Sequence, residues 1–438
     1  MRFIDLFCGI GGFHAALSQL GHECVFACDV DSDAAEMYKK NFGIPAHFDI
    51  RECKNLPDFD ILCAGFPCQP FSKSGSQKGF NDLTRGTLFH EIMRIVKESK
   101  PIILFLENVP NLETHDGGNT FEIIKASIEE EGYVFSSDIL SPHDFGTPQI
   151  RKRLYMVAIK QEYCQEEVFQ FPKGTQQKTS VNTILDKKRS VDKKYYLSEE
   201  EIRILDHWNY FIQQINPDEK PPSPTWSQDF SRSYPLENIH PISKQWRITV
   251  RDLKKGLEEE GLSIPNSGLR KDVMKYFPPY IRSAKKPLPE WKKKFISNNR
   301  TFWGNNKHLL DQEWLSKVRK FEQTYQKFEW QVGDEIRDIW KHMIQFRPSG
   351  IRVKRTNYIP ALVAIAQIPI IGRQKRRMTP KECARAQDFD VDGIISKPYA
   401  ICDVDAIAYK QLGNAVNVKL TRIIFQEIES YMGEKNDR

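Results

Sequence analysis

Apolar residues recur through the first 160 positions in short runs separated by amphipathic stretches. Arg2-Phe3-Ile4-Asp5-Leu6-Phe7 predicts a short strand, Cys8-Gly9-Ile10-Gly11-Gly12 a turn, and Phe13 to Leu20 a helix that stops at Gly21. Cys24-Val25-Phe26-Ala27-Cys28 predicts a second strand, and Asp33 to Asn41 a second helix capped by Gly43. Ile61 to Ala64 reads as a third strand, Gly86 to Ser99 as a helix, and Pro101 to Leu106 as a continuously apolar fourth strand. Phe121 to Glu131 is expected to be helical and Arg153 to Ile159 to be a strand. Apolar strands alternating with helices predict a doubly wound, mostly parallel α/β sheet, because only such strands are buried on both faces.

The rhythm breaks after Ile159. The following stretch, to about Arg377, is rich in Lys, Pro and aromatics. It carries a helix signal at Ser198 to Asn209, a loop signal at Pro221-Pro222-Ser223-Pro224 and a basic run at Lys285, Lys286, Lys292, Lys293 and Lys294. Tryptophan and tyrosine interleaved with this charge fit an irregular module that meets a nucleic-acid surface; a solvated helical insert is the blander reading. Regular signals return at Thr379, which with Glu382 makes a capping box. Ala406 to Gln411 leads into Gly413-Asn414, and Thr421 to Tyr431 predicts a final helix. The expected division is therefore 1–160, 161–377 and 378–438, the outer two parts forming one domain around an insert.

Composition narrows the class. Charged residues make up 28% of the 438 positions, and no apolar run approaches the ~18 residues that span a bilayer. Met1-Arg2-Phe3 enters a strand pattern at once, so neither a signal nor a transit peptide is expected, and a reducing cytoplasm fits. The nine cysteines are scattered, without a CxxC pair, which argues against zinc or a disulfide framework. The net charge of +6 is a modest pointer to a polyanionic partner.

Candidate chemistry concentrates at the predicted strand ends. Asp60-Ile61-Leu62-Cys63-Ala64 runs straight into Gly65-Phe66-Pro67-Cys68-Gln69-Pro70-Phe71-Ser72. Strand, sharp turn and cysteine is the layout of a nucleophile loop, whereas Cys63 inside the apolar run reads as a small core residue. The glycine turn at residues 8–12 could expose helix N–H groups to a nucleotide-like ligand, or merely close a βα corner. Its spacing is not GxGxxG, which favours an adenosyl compound over a dinucleotide. Asp29 ends the second strand, where a carboxylate can accept ribose hydroxyls. Asp49-Ile50 could bind and pack an adenine ring. Glu107-Asn108 follows the apolar fourth strand, either as a desolvated acid or as a polar strand end facing water.

Taken together, these stretches resemble the bacterial DNA (cytosine-5) methyltransferases of type II restriction–modification systems. The resemblance rests on Asp5 to Gly12, Gly65 to Ser72, Glu107-Asn108-Val109, Gln149-Ile150-Arg151-Lys152-Arg153, Thr379 to Arg385 and Gln411 to Val416, all in the family's order. It implies a Rossmann-like S-adenosylmethionine-dependent fold with an inserted target-recognition domain, acting on double-stranded DNA. By resemblance Phe7, Gly9, Gly11, Gly12, Asp29, Val30, Asp49, Ile50, Leu88 and Asn414 would form the cofactor site, with no metal. Val30 stands where the family often has an aromatic. Cys68 would be the nucleophile, Glu107 the group at the cytosine ring edge, and Arg151 and Arg153 the holders of the nucleotide. Gln69, Ser72, Ser74, Asn108 and Val109 would touch substrate, with the loop through Ser72, Ser74 and Gly79 as a lid. Thr249-Val250 resembles a short element of the recognition domain. A functional pairing with a restriction endonuclease and a monomeric state are implied as well. The same scaffold also carries tRNA methyltransferases; the large basic middle segment points to duplex DNA.

Overall fold

The structure, a computed structural model, describes residues 1–67, 88–175, 177–187, 190–232, 288–311, 313–362 and 367–433, with a few isolated positions between 251 and 278. The chain forms two compact units. The first comprises Met1–Ser190, Asn357–Ala366 and Met378–Arg438; the second comprises Val191–Thr356 and Gln367–Arg377. The first division thus falls at Ser190, some thirty residues beyond the expected 160. The segment after Lys160 is tied to the first unit by hydrogen bonds, such as those from Gln165 N–H to the Tyr431 hydroxyl at 2.9 Å and from Asp186 N–H to Glu382 at 2.8 Å.

The first unit is built on β1 (Arg2–Leu6), α1 (Gly12–Ser18), β2 (Glu23–Cys28), α2 (Ser32–Phe42), β3 (Ile61–Ala64), α3 (Leu88–Ser99), β4 (Ile103–Asn108), α4 (Asn119–Glu129), β5 (Tyr133–Leu140), β6 (Gln149–Ile150) and β7 (Arg153–Lys160). The sheet order is β2-β1-β3-β4-β7-β5. Strands β2, β1, β3 and β4 are parallel; β7 runs antiparallel to both β4 and β5. β3 and β4 are buried at every position, as expected of central strands covered on both faces. The sequence reading omitted β5, whose side chains are mostly half-buried and give no clean alternation.

Local signals set the helix ends. Asp31 caps α2 by accepting from Ala34 N–H, and Gly43 closes it with φ +78°. Thr379 and Glu382 make both bonds of the capping box that starts α5 (Pro380–Arg385). α6 (Asp405–Asn414) continues through Gly413 and Asn414, and α7 (Val418–Gly433) completes the unit.

The second unit is not irregular, contrary to expectation. It has its own six-stranded sheet, in the order 376–377, 370–371, 343–347, 350–354, 327–331 and 225–226. A helix over Glu199–Gln214 opens with a complete capping box at Ser198 and Glu201. Trp208, Trp303, Trp314 and Trp330 are buried, and Trp208 stacks on Phe328 with ring centroids 4.9 Å apart. Most aromatics of this segment therefore build a core instead of interleaving with surface charge. Trp291 is exposed, with Lys292 Nζ 5.6 Å from its ring, and Tyr210 is exposed as well. Among the described residues no helix is long and apolar enough to cross a membrane.

Candidate active site at the strand ends

In the first unit the chain leaves β1 for β2 on one side and β3 for β4 on the other. Loops at the carboxyl ends of β1 and β3 therefore part and leave a crevice, the usual place for a ligand in a sheet of this kind. A cavity of about 770 Å³ lies there. Its walls include Phe7 and Gly9 after β1, Asp29 and Val30 after β2, Gly65 to Pro67 after β3, and Glu107 to Val109 at the end of β4. Asp49, Ile50, Leu88 and Asn414 complete it. Residues far apart in the chain thus meet at one rim because parallel strands put their carboxyl ends on one edge.

Gly9 has φ +52°, and a side chain there would point into open space. Its N–H donates to Asp29 Oδ2 at 2.8 Å, while Asp31 N–H donates to Asp29 Oδ1 at 2.8 Å. Burial pushes the Asp29 carboxyl up, and these two N–H groups partly offset it. Phe7 also has positive φ, +54°. For a bulky residue this conformation costs on the order of 1–3 kcal/mol and tends to mark functional loops.

Two of the expected cofactor glycines also answer to packing. Gly11 and Gly12 do not line the cavity. A Cβ on Gly11 would lie 2.3 Å from the Phe42 ring, and one on Gly12 2.5 Å from Val416 O. Both are demanded by close packing of α1.

Asp49 accepts from Arg51 N–H at 3.0 Å and from Arg51 Nε at 3.0 Å, which holds its carboxyl below the usual range. Lys410 Nζ lies 2.7 Å from Asp31 Oδ2, and Gln411 donates to Asp33 O at 3.0 Å, tying α6 to the start of α2 beside the cavity. Phe48, absent from the sequence-derived set, adds a half-exposed aromatic ring to the wall.

At the other end, Glu107 is buried and its carboxyl is pushed up by that burial, against the opposing pull of Arg153 and Arg151. Arg153 Nε donates to Glu107 Oε1 at 3.0 Å. A Cβ built on Gly65 would lie 3.9 Å from Glu107 Oε2, so the acid stands beside the chain as it leaves β3.

Arg151 and Asn108 both line the cavity and both have partners within the fold. Arg151 is buried and donates to Leu362 O at 3.0 Å, Gly413 O at 3.0 Å and Ala415 O at 2.9 Å. Burial and Arg153 lower its pKa to about 9, so it is still charged at neutral pH. It braces the segment around Asn414 with its two terminal nitrogens. Asn108 is likewise buried; its Nδ2 donates to Phe66 O at 2.9 Å and its Oδ1 accepts from Val109 N–H at 2.8 Å. It steadies the turn at Phe66. Val109 is exposed at the rim.

Cys68, Gln69, Ser72, Ser74 and Gly79 lie outside the described residues, as do Lys285, Lys286, Thr249 and Val250. The structure carries the chain to Pro67, next to Cys68. Cys63 is fully buried and its thiol is pushed well up by desolvation, so it is chemically inert.

The sequence profile of the C-5 cytosine-specific DNA methylases matches residues 1–430. The chain belongs to that family. Among its relatives, the type II methyltransferase M.AluI of Cellulosimicrobium cellulans is 32% identical over 489 residues, covering 97% of this chain and 91% of the relative. M.BanI of Aneurinibacillus aneurinilyticus is 30% identical over 441 residues, covering 98% and 95%. M.HhaI of Haemophilus parahaemolyticus is 49% identical over 187 residues, covering 42% of this chain and 57% of the relative.

As a C-5 cytosine DNA methylase, the protein acts on DNA and uses S-adenosylmethionine. The cavity suits such a group. It offers a half-buried carboxylate, Asp29, for hydroxyls, open space over Gly9 and apolar walls at Phe7, Val30 and Ile50.

Proposed function

We propose that the cavity is the site of methyl transfer to carbon 5 of a cytosine flipped out of double-stranded DNA, with Cys68 as nucleophile. The observation that carries this reading is the convergence of Asp29, Glu107 and the chain leading into Cys68 on one cavity. When bound, S-adenosylmethionine supplies an electrophilic methyl group. Asp29 would hold its ribose, Asp49 and Ile50 its adenine, and Gly9, Leu88 and Asn414 would close around it.

Carbon 5 of cytosine is a weak nucleophile. Addition of the Cys68 thiolate at carbon 6 forms a C–S bond and moves electron density from the ring double bond toward carbon 5 and N3. Glu107, held protonated more readily by its burial, donates a hydrogen bond or its proton to N3 and stabilises that density. Arg153 keeps the Glu107 side chain in place. Carbon 5 then takes the methyl group as its bond to the sulfonium sulfur breaks, leaving S-adenosylhomocysteine; loss of the carbon-5 proton expels the thiolate, any proton on N3 returns to Glu107, and the aromatic ring is restored. The target base must leave the stack for any of this, since its carbon 5 is inaccessible in the duplex. The second unit would read the target sequence from the major groove. The type II relatives support pairing with an endonuclease of the same specificity, and we read the enzyme as a cytoplasmic monomer working on the host nucleoid.

A duplex carrying 5-fluorocytosine at the target tests the central step, because fluorine cannot leave as the proton does. The target itself comes from bisulfite sequencing of host DNA that has been exposed to the protein. Wild-type enzyme should remain attached through denaturing electrophoresis, only with cofactor present. Cys68→Ser should abolish the adduct and keep cofactor binding, whereas Cys63→Ser should still form it. An adduct with Cys68→Ser would identify another sulfur as nucleophile.

A further inference from the structure

The wall beside Asp29 carries a ring that fits neither the core nor an ordinary surface loop. Phe48 is 44% exposed and lines the cavity with Val30 and Ile50. Its backbone is held on both sides. Phe48 N–H donates to Asp29 O at 3.2 Å and to Ala46 O at 3.0 Å, and Asp29 N–H donates to Ala46 O at 2.7 Å. The next residue, Asp49, caps a short helical turn over Ile50–Glu52. Phe26 packs against one side of the ring, with centroids 5.9 Å apart and planes 27° from parallel. Exposed phenylalanine is ordinarily disfavoured, and a ring backed on one side and open on the other is a ready stacking platform. The neighbouring Val30 is 65% exposed and has no π face to offer.

We propose that Phe48 is a positioning residue for the cofactor, its open face stacking on the adenine ring of S-adenosylmethionine. Its backbone latch to Asp29 ties the position of the base to that of the ribose carboxylate. The proposal rests on reading the cavity as the cofactor site. It is a statement about this chain's own residue: the aromatic face comes from the segment before Asp49, not from the residue after Asp29.

Calorimetric titration of the full chain with S-adenosylhomocysteine, which keeps the adenosyl group, tests it. Phe48→Ala and Phe48→Leu should both bind roughly tenfold more weakly, within the range for losing one base–aromatic stack. Phe48→Trp should bind within about twofold of wild type, and its emission should change on titration by more than that of the wild-type tryptophans. Circular dichroism establishes that each variant is folded, and Phe48→Leu serves if Phe48→Ala is not. Wild-type affinity in folded Phe48→Leu would overturn the proposal, since bulk alone would then suffice. Asp29→Ala separates the two levels of failure. If it loses affinity and Phe48→Ala does not, Phe48 is no platform; if neither loses affinity, the cavity is not the cofactor site.

Discussion

Replacing Arg151 with lysine distinguishes a brace from a substrate contact. In the wild-type protein one guanidinium reaches three carbonyls, those of Leu362, Gly413 and Ala415, at 2.9–3.0 Å. A lysine keeps the charge but concentrates its donors at one point, so at least two of those carbonyls lose their partner. Each buried acceptor left unpaired costs about 1–3 kcal/mol, and with local relaxation we expect a loss of about 3 kcal/mol in all. At about 2–4 °C per kcal/mol for a domain of this size, the melting temperature of the first unit should fall by roughly 6–12 °C. Gly413 and Ala415 flank Asn414 on the cavity wall, so affinity for S-adenosylhomocysteine should fall with it. Thermal melts followed by circular dichroism and calorimetric titration measure the two effects. DNA affinity, measured at a temperature where the variant is folded, should change little. An unchanged melt together with a tenfold or greater loss of DNA affinity would refute the bracing argument and restore Arg151 to the substrate.

Three other outcomes are expected. Glu107 has its carboxyl raised by burial, so the folded protein holds that proton more tightly than the unfolded chain. Its contribution to stability is full below the unfolded value of about 4.3 and is lost as pH rises through the folded one. Glu107→Gln should therefore gain stability relative to wild type as pH rises above about 4 in urea titrations; a difference that is flat with pH contradicts the assignment. Gly12→Ala forces a Cβ to 2.5 Å from Val416 O and should cost about 1–3 kcal/mol, whereas Gly304→Ala, helical with nothing within 4 Å, should stabilise by up to about 1 kcal/mol. Asn108→Ala removes the bond to Phe66 O and should lower kcat without altering the KM for cofactor; an unchanged kcat would show that the turn before Cys68 keeps its shape unaided.

The sequence alone determined the elements whose signals are local. β1, β3 and β7 appear as apolar runs, and the ends of α2 and α5 follow from Gly43 and from the Thr379–Glu382 box, because caps and strand periodicity involve neighbours in the chain. Strand ends singled out Asp29 and Glu107, and resemblance to the cytosine-5 methyltransferases joined Phe7, Asp49 and Asn414 to them in one candidate active site. Tertiary structure decided what each polar group has left to offer. Arg151 and Arg153 are two positions apart and chemically alike, yet one is spent on three buried carbonyls and the other pairs with Glu107. Gly12 looks like a ligand-binding glycine until Val416, near the other end of the chain, is packed against it. The tryptophans of the second unit read in sequence as part of a nucleic-acid surface or of a solvated insert, and only a folded sheet and helix could bury Trp208 against Phe328. Phe48 had no local signal at all. A phenylalanine is normally a core residue, and the fold leaves this one half-open by latching its backbone to Asp29 and backing its ring with Phe26. Composition and spacing report which groups are present; partner and exposure depend on contacts between distant segments, which no window along the chain contains.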